Sequence, residues 1–106
     1  AASRYAGQVR DLMRASPDGP PSLSRIAAEL MTTPRTLRRH LAREGTSFRA
    51  LLTEVRDQLA VRWLSDGSLP VREIAERLGY ADTSTFTHAF TRRHGQSPRE
   101  YRSRLE

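Results

Sequence analysis

The chain has 106 residues, enough for one small domain or two small lobes sharing a helix, and too few for a large core. Its 18 cationic side chains are all Arg, against 12 carboxylates, and the net charge of +6 suits a surface that meets phosphates. Cysteine is absent, which excludes disulfides and thiolate zinc sites and agrees with a reducing cytoplasm. No apolar run approaches the roughly 18 residues of a membrane span, and no signal peptide is visible. The lack of Lys also fits a GC-rich coding bias. The first residue is Ala1 rather than Met, so an excised piece of a longer protein is expected.

In chain order, residues 3–15 place Tyr5, Val9, Leu12 and Met13 at helical spacing, which predicts a helix with one buried stripe. The run Ser16-Pro17-Asp18-Gly19-Pro20-Pro21 breaks it. Ser22 or Ser24 caps a second helix that turns Leu23, Ile26, Ala27 and Leu30 inward. A turn at residues 31–33 leads to Pro34, suited to a first helical position because its missing N–H has no partner there. The helix opened by Pro34 runs to about Glu44 and ends at Gly45.

Residues 47–65 form the longest expected helix, with Phe48, Leu51, Leu52, Val55, Leu59 and Trp63 on one face. At about 1.5 Å per residue it is a rod near 27 Å. Such a rod is long enough to set elements packed at its two ends roughly 34 Å apart, the length of one duplex turn.

The segment after the rod repeats the segment before it. Ile26-Ala27-Ala28-Glu29-Leu30 matches Ile74-Ala75-Glu76-Arg77-Leu78, Leu37 and Leu41 match Phe86 and Phe90, and Gly45-Thr46-Ser47 matches Gly95-Gln96-Ser97. The offset grows from 48 to 49 to 50, so the copies differ by small insertions. Each copy reads as helix, tight turn, helix, the pattern that sets its second helix into a DNA groove. The expected fold is therefore all-α, with two helix-turn-helix subdomains at about 23–44 and 71–94, a linker helix at 47–65 and a C-terminal helix at 98–105.

In the first reading helix Arg35, Arg38, Arg39 and Arg43 cover a sector of about 140°, opposite Leu37 and Leu41. Arg binds guanine O6 and N7 with two donors, so Arg35 and Arg39 are the leading base readers. Arg38, nearer the edge, is kept with the base-contacting set but also suits a phosphate. Arg43 and Thr36 are assigned to phosphates. The competing reading is an ordinary solvated basic face. For His40, flank contact and plain exposure are both open.

The second reading helix buries Phe86, Ala89 and Phe90 and turns out Thr83, Ser84, Thr87, His88 and Thr91. Thr83, Ser84, Thr87 and His88 are the expected base contacts, weaker discriminators than a bidentate Arg, so the first copy should dominate specificity. Thr91, Arg92 and Arg93 are phosphate candidates. Thr85 reaches a phosphate or base, or caps the helix, and Asp82 is read as a cap. Ser47 and Ser97 are phosphate candidates, with helix capping the stronger alternative. Ala27 and Ala75 suit a close approach of two helices at each turn, Gly79 suits positive φ, and Tyr80 packs beneath its turn. These four are read as holding the fold.

These residues carry a resemblance. Ile26-Ala27-Ala28-Glu29-Leu30, Arg35-Thr36-Leu37-Arg38-Arg39-His40-Leu41 and Gly45-Thr46-Ser47-Phe48 resemble the DNA-binding domain of AraC/XylS transcriptional regulators. Ile74-Ala75-Glu76-Arg77-Leu78-Gly79-Tyr80 resembles it more specifically, continuing through Asp82, Ser84, Phe86, Ala89-Phe90 and Arg92-Arg93 to Gly95-Gln96-Ser97-Pro98 and Tyr101-Arg102. The resemblance spans nearly the whole chain. It implies two homeodomain-like lobes, about seven helices, and sequence-specific binding of promoter DNA in the bacterial cytoplasm, at the nucleoid. It also implies an N-terminal sensing or dimerising domain in the complete protein and activation through contact with RNA polymerase. Met31 departs from the family, which has Gly in the first turn, so that turn is expected to be tighter or strained.

Other classes fare worse on the sequence. His40, His88 and His94 make no H-x-x-x-H pair, and no Gly-rich phosphate loop follows a strand, so neither catalysis, metal nor cofactor is expected. A non-specific architectural DNA binder and a module for an acidic protein partner remain as alternatives. The first predicts strong salt dependence without discrimination, the second no DNA affinity at physiological salt.

Overall fold

The computed structural model describes residues 4–105 as seven α-helices, with no strand among them. Residues 1–3 and 106 lie outside this description, including the first residue of the expected opening helix. The helices are α1 (Arg4–Ala15), α2 (Leu23–Glu29), α3 (Pro34–Arg43), α4 (Phe48–Asp66), α5 (Val71–Arg77), α6 (Thr83–His94) and α7 (Pro98–Leu105). The chain divides into two compact units, Ala1–Arg56 and Asp57–Glu106, with the boundary inside α4.

In the first unit α3 packs against both α1 and α2. Ala6, Val9 and Met13 of α1, Ile26 and Ala27 of α2, Leu37 and Leu41 of α3, and Leu51 and Val55 of α4 are buried. Tyr5, Leu12, Leu23 and Leu30 are half-buried, so the buried stripes are narrower than spacing alone suggests. Polar ties to Glu54, from Arg10 and Arg14, and to Glu44 fasten α1. Arg10 Nε lies 2.7 Å from Glu54 on α4. The Glu44 carboxylate, just past the end of α3, accepts the backbone N–H groups of Tyr5 and Ala6 at 2.9 Å each.

In the second unit α6 packs against α5 and α7. Its core joins Leu59, Ala60 and Leu64 of α4 to Ile74, Ala75, Leu78, Phe86 and Phe90. Ala89, expected on the buried side of α6, is only half-buried. The Phe90 ring meets Phe86 at 6.0 Å and Tyr101 at 5.5 Å, both edge-on. Arg102 donates to the carbonyls of Leu64 and Trp63, which docks α7 on the end of α4.

The single apolar face expected for α4 needs correction. Leu51, Val55 and Leu59 are buried, but so are Ala60 and Leu64, while Phe48, Leu52 and Trp63 are only half-buried. The helix serves a different core in each half, so its buried stripe is not continuous. Its outer carboxylates are engaged too: Glu54 takes Arg10, and Asp57 takes Arg93 at 3.3 Å and His94 at 2.6 Å.

Candidate nucleic-acid interface

Both turns are built by the same bonds. In the first, the Thr32 N–H donates to Ala27 O at 2.9 Å and the Met31 N–H to Ala28 O at 3.0 Å. In the second, Tyr80 donates to Ala75 O at 3.1 Å and Gly79 to Glu76 O at 3.1 Å. This paired closure ends a helix on a left-handed residue. Gly79 takes that position at φ 87°, and Met31 takes it at φ 60°, the one non-glycine residue with positive φ among those described. Met31 is 91% exposed, so its side chain gains no packing in return. The expected strain in the first turn is thus present, held in one residue's backbone. Ala27 and Ala75 are buried where the two helices of each unit meet, and Tyr80 lies against Phe86 with ring centres 5.4 Å apart.

The reading helices start alike. The Thr33 hydroxyl accepts the Thr36 N–H at 3.2 Å, and the Asp82 carboxylate accepts the Thr85 N–H at 2.7 Å. Asp82 is a cap as its sequence position suggests; Thr33 was not among the expected caps, although the repeat offset of 49 pairs it with Asp82. Bonds from the Thr85 N–H and hydroxyl, with a smaller contribution from nearby His88, outweigh partial desolvation and hold the Asp82 carboxyl below its ordinary value. A carboxylate at the start of α6 also sits well with the helix dipole.

On α3 the side chains of Arg35, Arg38, Arg39 and Arg43 are all exposed. None of the four has an ion-pair or hydrogen-bond partner among the described residues. Other Arg residues are engaged: Arg10 and Arg14 on Glu54, Arg25 on Glu29, Arg77 on Glu73, Arg93 on Asp57. The reading helix therefore presents four uncommitted guanidinium groups, opposite the buried Leu37 and Leu41. His40 is not left to solvent: its ring stacks on Tyr5 of α1 at 4.1 Å, nearly parallel.

On α6, Ser84, His88, Thr91 and Arg92 are exposed, and Thr83 and Thr87 are half-buried along a cleft. Three hydroxyl groups are partly spoken for. Thr85 donates its proton to Asp82 at 2.8 Å, so a phosphate contact requires that bond to break. Ser47 accepts the Ala50 N–H, and Ser97 accepts the Glu100 N–H while its own N–H goes to Glu100 at 2.8 Å. Both serines are caps; the Ser97 backbone N–H and hydroxyl both hold the Glu100 carboxyl below its ordinary value, whereas the Ser47 hydroxyl proton has no acceptor among the described residues. Thr36 accepts from the Thr33 hydroxyl and its proton is likewise unengaged. Arg93 stays 51% exposed while bound to Asp57.

Metal binding and a membrane-crossing helix find no support among the described residues. No three His, Cys, Asp or Glu side chains are grouped to hold a metal. No helix is long and apolar enough to cross a membrane.

Two helix-turn-helix units, one with an open row of guanidinium groups on its second helix, define a helical DNA-binding domain. Residues 26–104 match the model of the helix-turn-helix domain family. A crystal structure of the transcriptional regulator CdpR from Pseudomonas aeruginosa is 44% identical, with a TM-score of 0.80, covering 95% of this chain and 33% of that one. An uncharacterised HTH-type transcriptional regulator of Mycobacterium tuberculosis is 52% identical over 84 residues, 79% of this chain and 24% of the relative. A urease operon transcriptional activator of Escherichia coli is 41% identical over 80 residues, 76% of this chain and 27% of the relative. The chain belongs to the AraC-type helix-turn-helix family, the DNA-binding domains of transcriptional regulators rather than enzymes. It spans about a quarter of the length of these two relatives.

Proposed function

We propose that the chain reads a promoter sequence by placing α3 and α6 in neighbouring major grooves of one duplex. The observation that carries this reading is the row of four exposed, unpartnered Arg side chains on α3. Arg35 and Arg39 read bases and Arg38 joins them at the margin, while Arg43 and Thr36 hold phosphates. On α6, Thr83, Ser84, Thr87 and His88 face bases with weaker discrimination. Thr91, Arg92 and Arg93 hold the backbone, Ser47 donates its free proton to a phosphate while capping its helix, and Ser97 does the same by giving up its bond to Glu100. Thr85 serves as part of the Asp82 cap.

The complete protein is a regulator with an N-terminal sensing or dimerising domain, acting in the bacterial cytoplasm at the nucleoid. Activation through contact with RNA polymerase is the proposed direction, supported by the activator among the relatives. Selection of bound duplexes from a random pool, with affinities for the winner and a scrambled control at two salt concentrations, tests this reading. Enrichment of a defined motif with strong discrimination is expected; equal binding of both duplexes would return the protein to charge-driven, architectural binding.

A further inference from the structure

Each unit carries a cleft, and the two clefts are copies of one another. The first, about 340 Å³, is lined by Arg38, Ser47 and Arg49 among others. The second, about 720 Å³, is lined at the equivalent positions by Thr87, Ser97 and Arg99, the offsets being 49, 50 and 50. In each case the lining comes from the reading helix, the first turn of the helix that succeeds it and the start of the helix that precedes it, Leu23 in the first cleft and Val71 and Arg72 in the second.

The chemistry of both clefts is one-sided. No carboxylate lines either one. Arg49 and Arg99 are exposed and have no partner among the described residues, and Arg72 adds a second exposed cation to the larger cleft. Ser47 leaves a hydroxyl proton without an acceptor there, while the Ser97 hydroxyl is engaged by Glu100, which leaves the cation as the group common to both clefts. The repeat is loose at the reading position, where Arg38 becomes Thr87, yet it retains the cation, Arg49 becoming Arg99. A helix lying in a major groove has a sugar–phosphate strand running along its flank, and each cleft is lined in part by its reading helix.

We infer that the paired clefts seat backbone phosphates of the bound duplex, with Arg49 and Arg99 as their cationic ligands, so that each unit clamps one strand beside the groove it reads. This rests on the DNA-reading function proposed above. It adds to that function two residues outside both reading helices, with equivalent roles despite the different chemistry of the two reading faces.

The test is the salt dependence of binding by the 106-residue chain to the selected duplex and to a scrambled duplex of equal length. Each neutralised phosphate contributes about 0.9 to the slope of log affinity against log salt. Arg49→Ala and Arg99→Ala should each reduce the slope by about 1 and the double variant by about 2. Both duplexes should weaken by the same factor, leaving the discrimination ratio unchanged, and Arg49→Lys and Arg99→Lys should keep the wild-type slope. Unchanged slopes in Ala variants with wild-type circular dichroism would overturn the inference. So would a loss confined to the selected duplex, which would make these residues base readers. Failure of the broader function has a different signature: the wild type would not distinguish the duplexes at all, while the slope changes would still be measurable on either.

Discussion

Met31 stands at φ 60° where its counterpart Gly79 stands at φ 87°, each donating its N–H to the carbonyl three residues back, Ala28 for Met31 and Glu76 for Gly79. A side chain in that region costs roughly 1–2 kcal/mol, while Gly elsewhere gives back about 0.5–1 kcal/mol in chain entropy. Met31→Gly is therefore expected to stabilise the chain by up to about 1 kcal/mol, and Gly79→Met to destabilise it by a similar amount, up to about 1 kcal/mol. Denaturant midpoints of the two variants check this. A Met31→Gly variant less stable than wild type would show that Met31 contributes something beyond closing the turn.

The same pair shows how much was legible in the sequence. The repeat revealed the two turns, the paired Ala residues and the left-handed position, because those features are local and recur at a fixed offset. The long helix was legible as a helix but not in its burial: its two halves face separate cores, which one periodic stripe cannot describe. The His40 stack on Tyr5 and the Glu44 bonds to α1 escaped for another reason. They join residues 35 and 39 positions apart in sequence (His40 to Tyr5, Glu44 to Tyr5), and spacing patterns carry no signal for such contacts. Among the interface residues, exposure of the Arg row was legible from its position opposite Leu37 and Leu41, whereas the commitments of Thr85 and Arg93 depend on hydrogen-bond and ion-pair partners that composition does not announce.

Glu44 links pH to the seating of α1. Partial desolvation pushes its carboxyl up, but the N–H groups of Ala6 and Tyr5, helped by nearby His40, outweigh this and hold it below its ordinary value of 4.5. A carboxyl lowered on folding stabilises the fold above its unfolded value, and the contribution is lost as pH falls through the folded one. Glu44→Gln should therefore be less stable than wild type near pH 7, with the gap closing below about pH 4.5. Urea unfolding at about pH 7 and about pH 3 measures it; a gap of constant size would show that the charge is not what holds α1.

Ala75 is 2% exposed at the meeting point of α5 and α6. Ala75→Leu adds volume that a packed contact cannot absorb, at a cost of about 1–3 kcal/mol. Because the displaced element is the reading helix, affinity for the selected duplex should fall more than affinity for scrambled DNA. Equal losses on both would mean that α6 does not read bases.

Arg39 and Arg92 should separate reading from holding. Arg39→Ala is expected to relax preference at one base position, where discrimination falls by about 1–3 kcal/mol, while Arg92→Ala should weaken every sequence alike and lower the salt slope by about 1. Competition titrations against single-base variants of the selected duplex distinguish the two. Identical profiles for both variants would contradict the assignment.

The most direct test of the central claim is the motif recovered when the chain selects duplexes from a random pool. Two reading helices in neighbouring grooves predict a bipartite motif, its half-elements about 10 base pairs apart, with one position of the better-defined half relaxed in Arg39→Ala. Recovery of no motif would contradict sequence reading altogether, and a single short element would show that one unit reads while the other only holds the backbone.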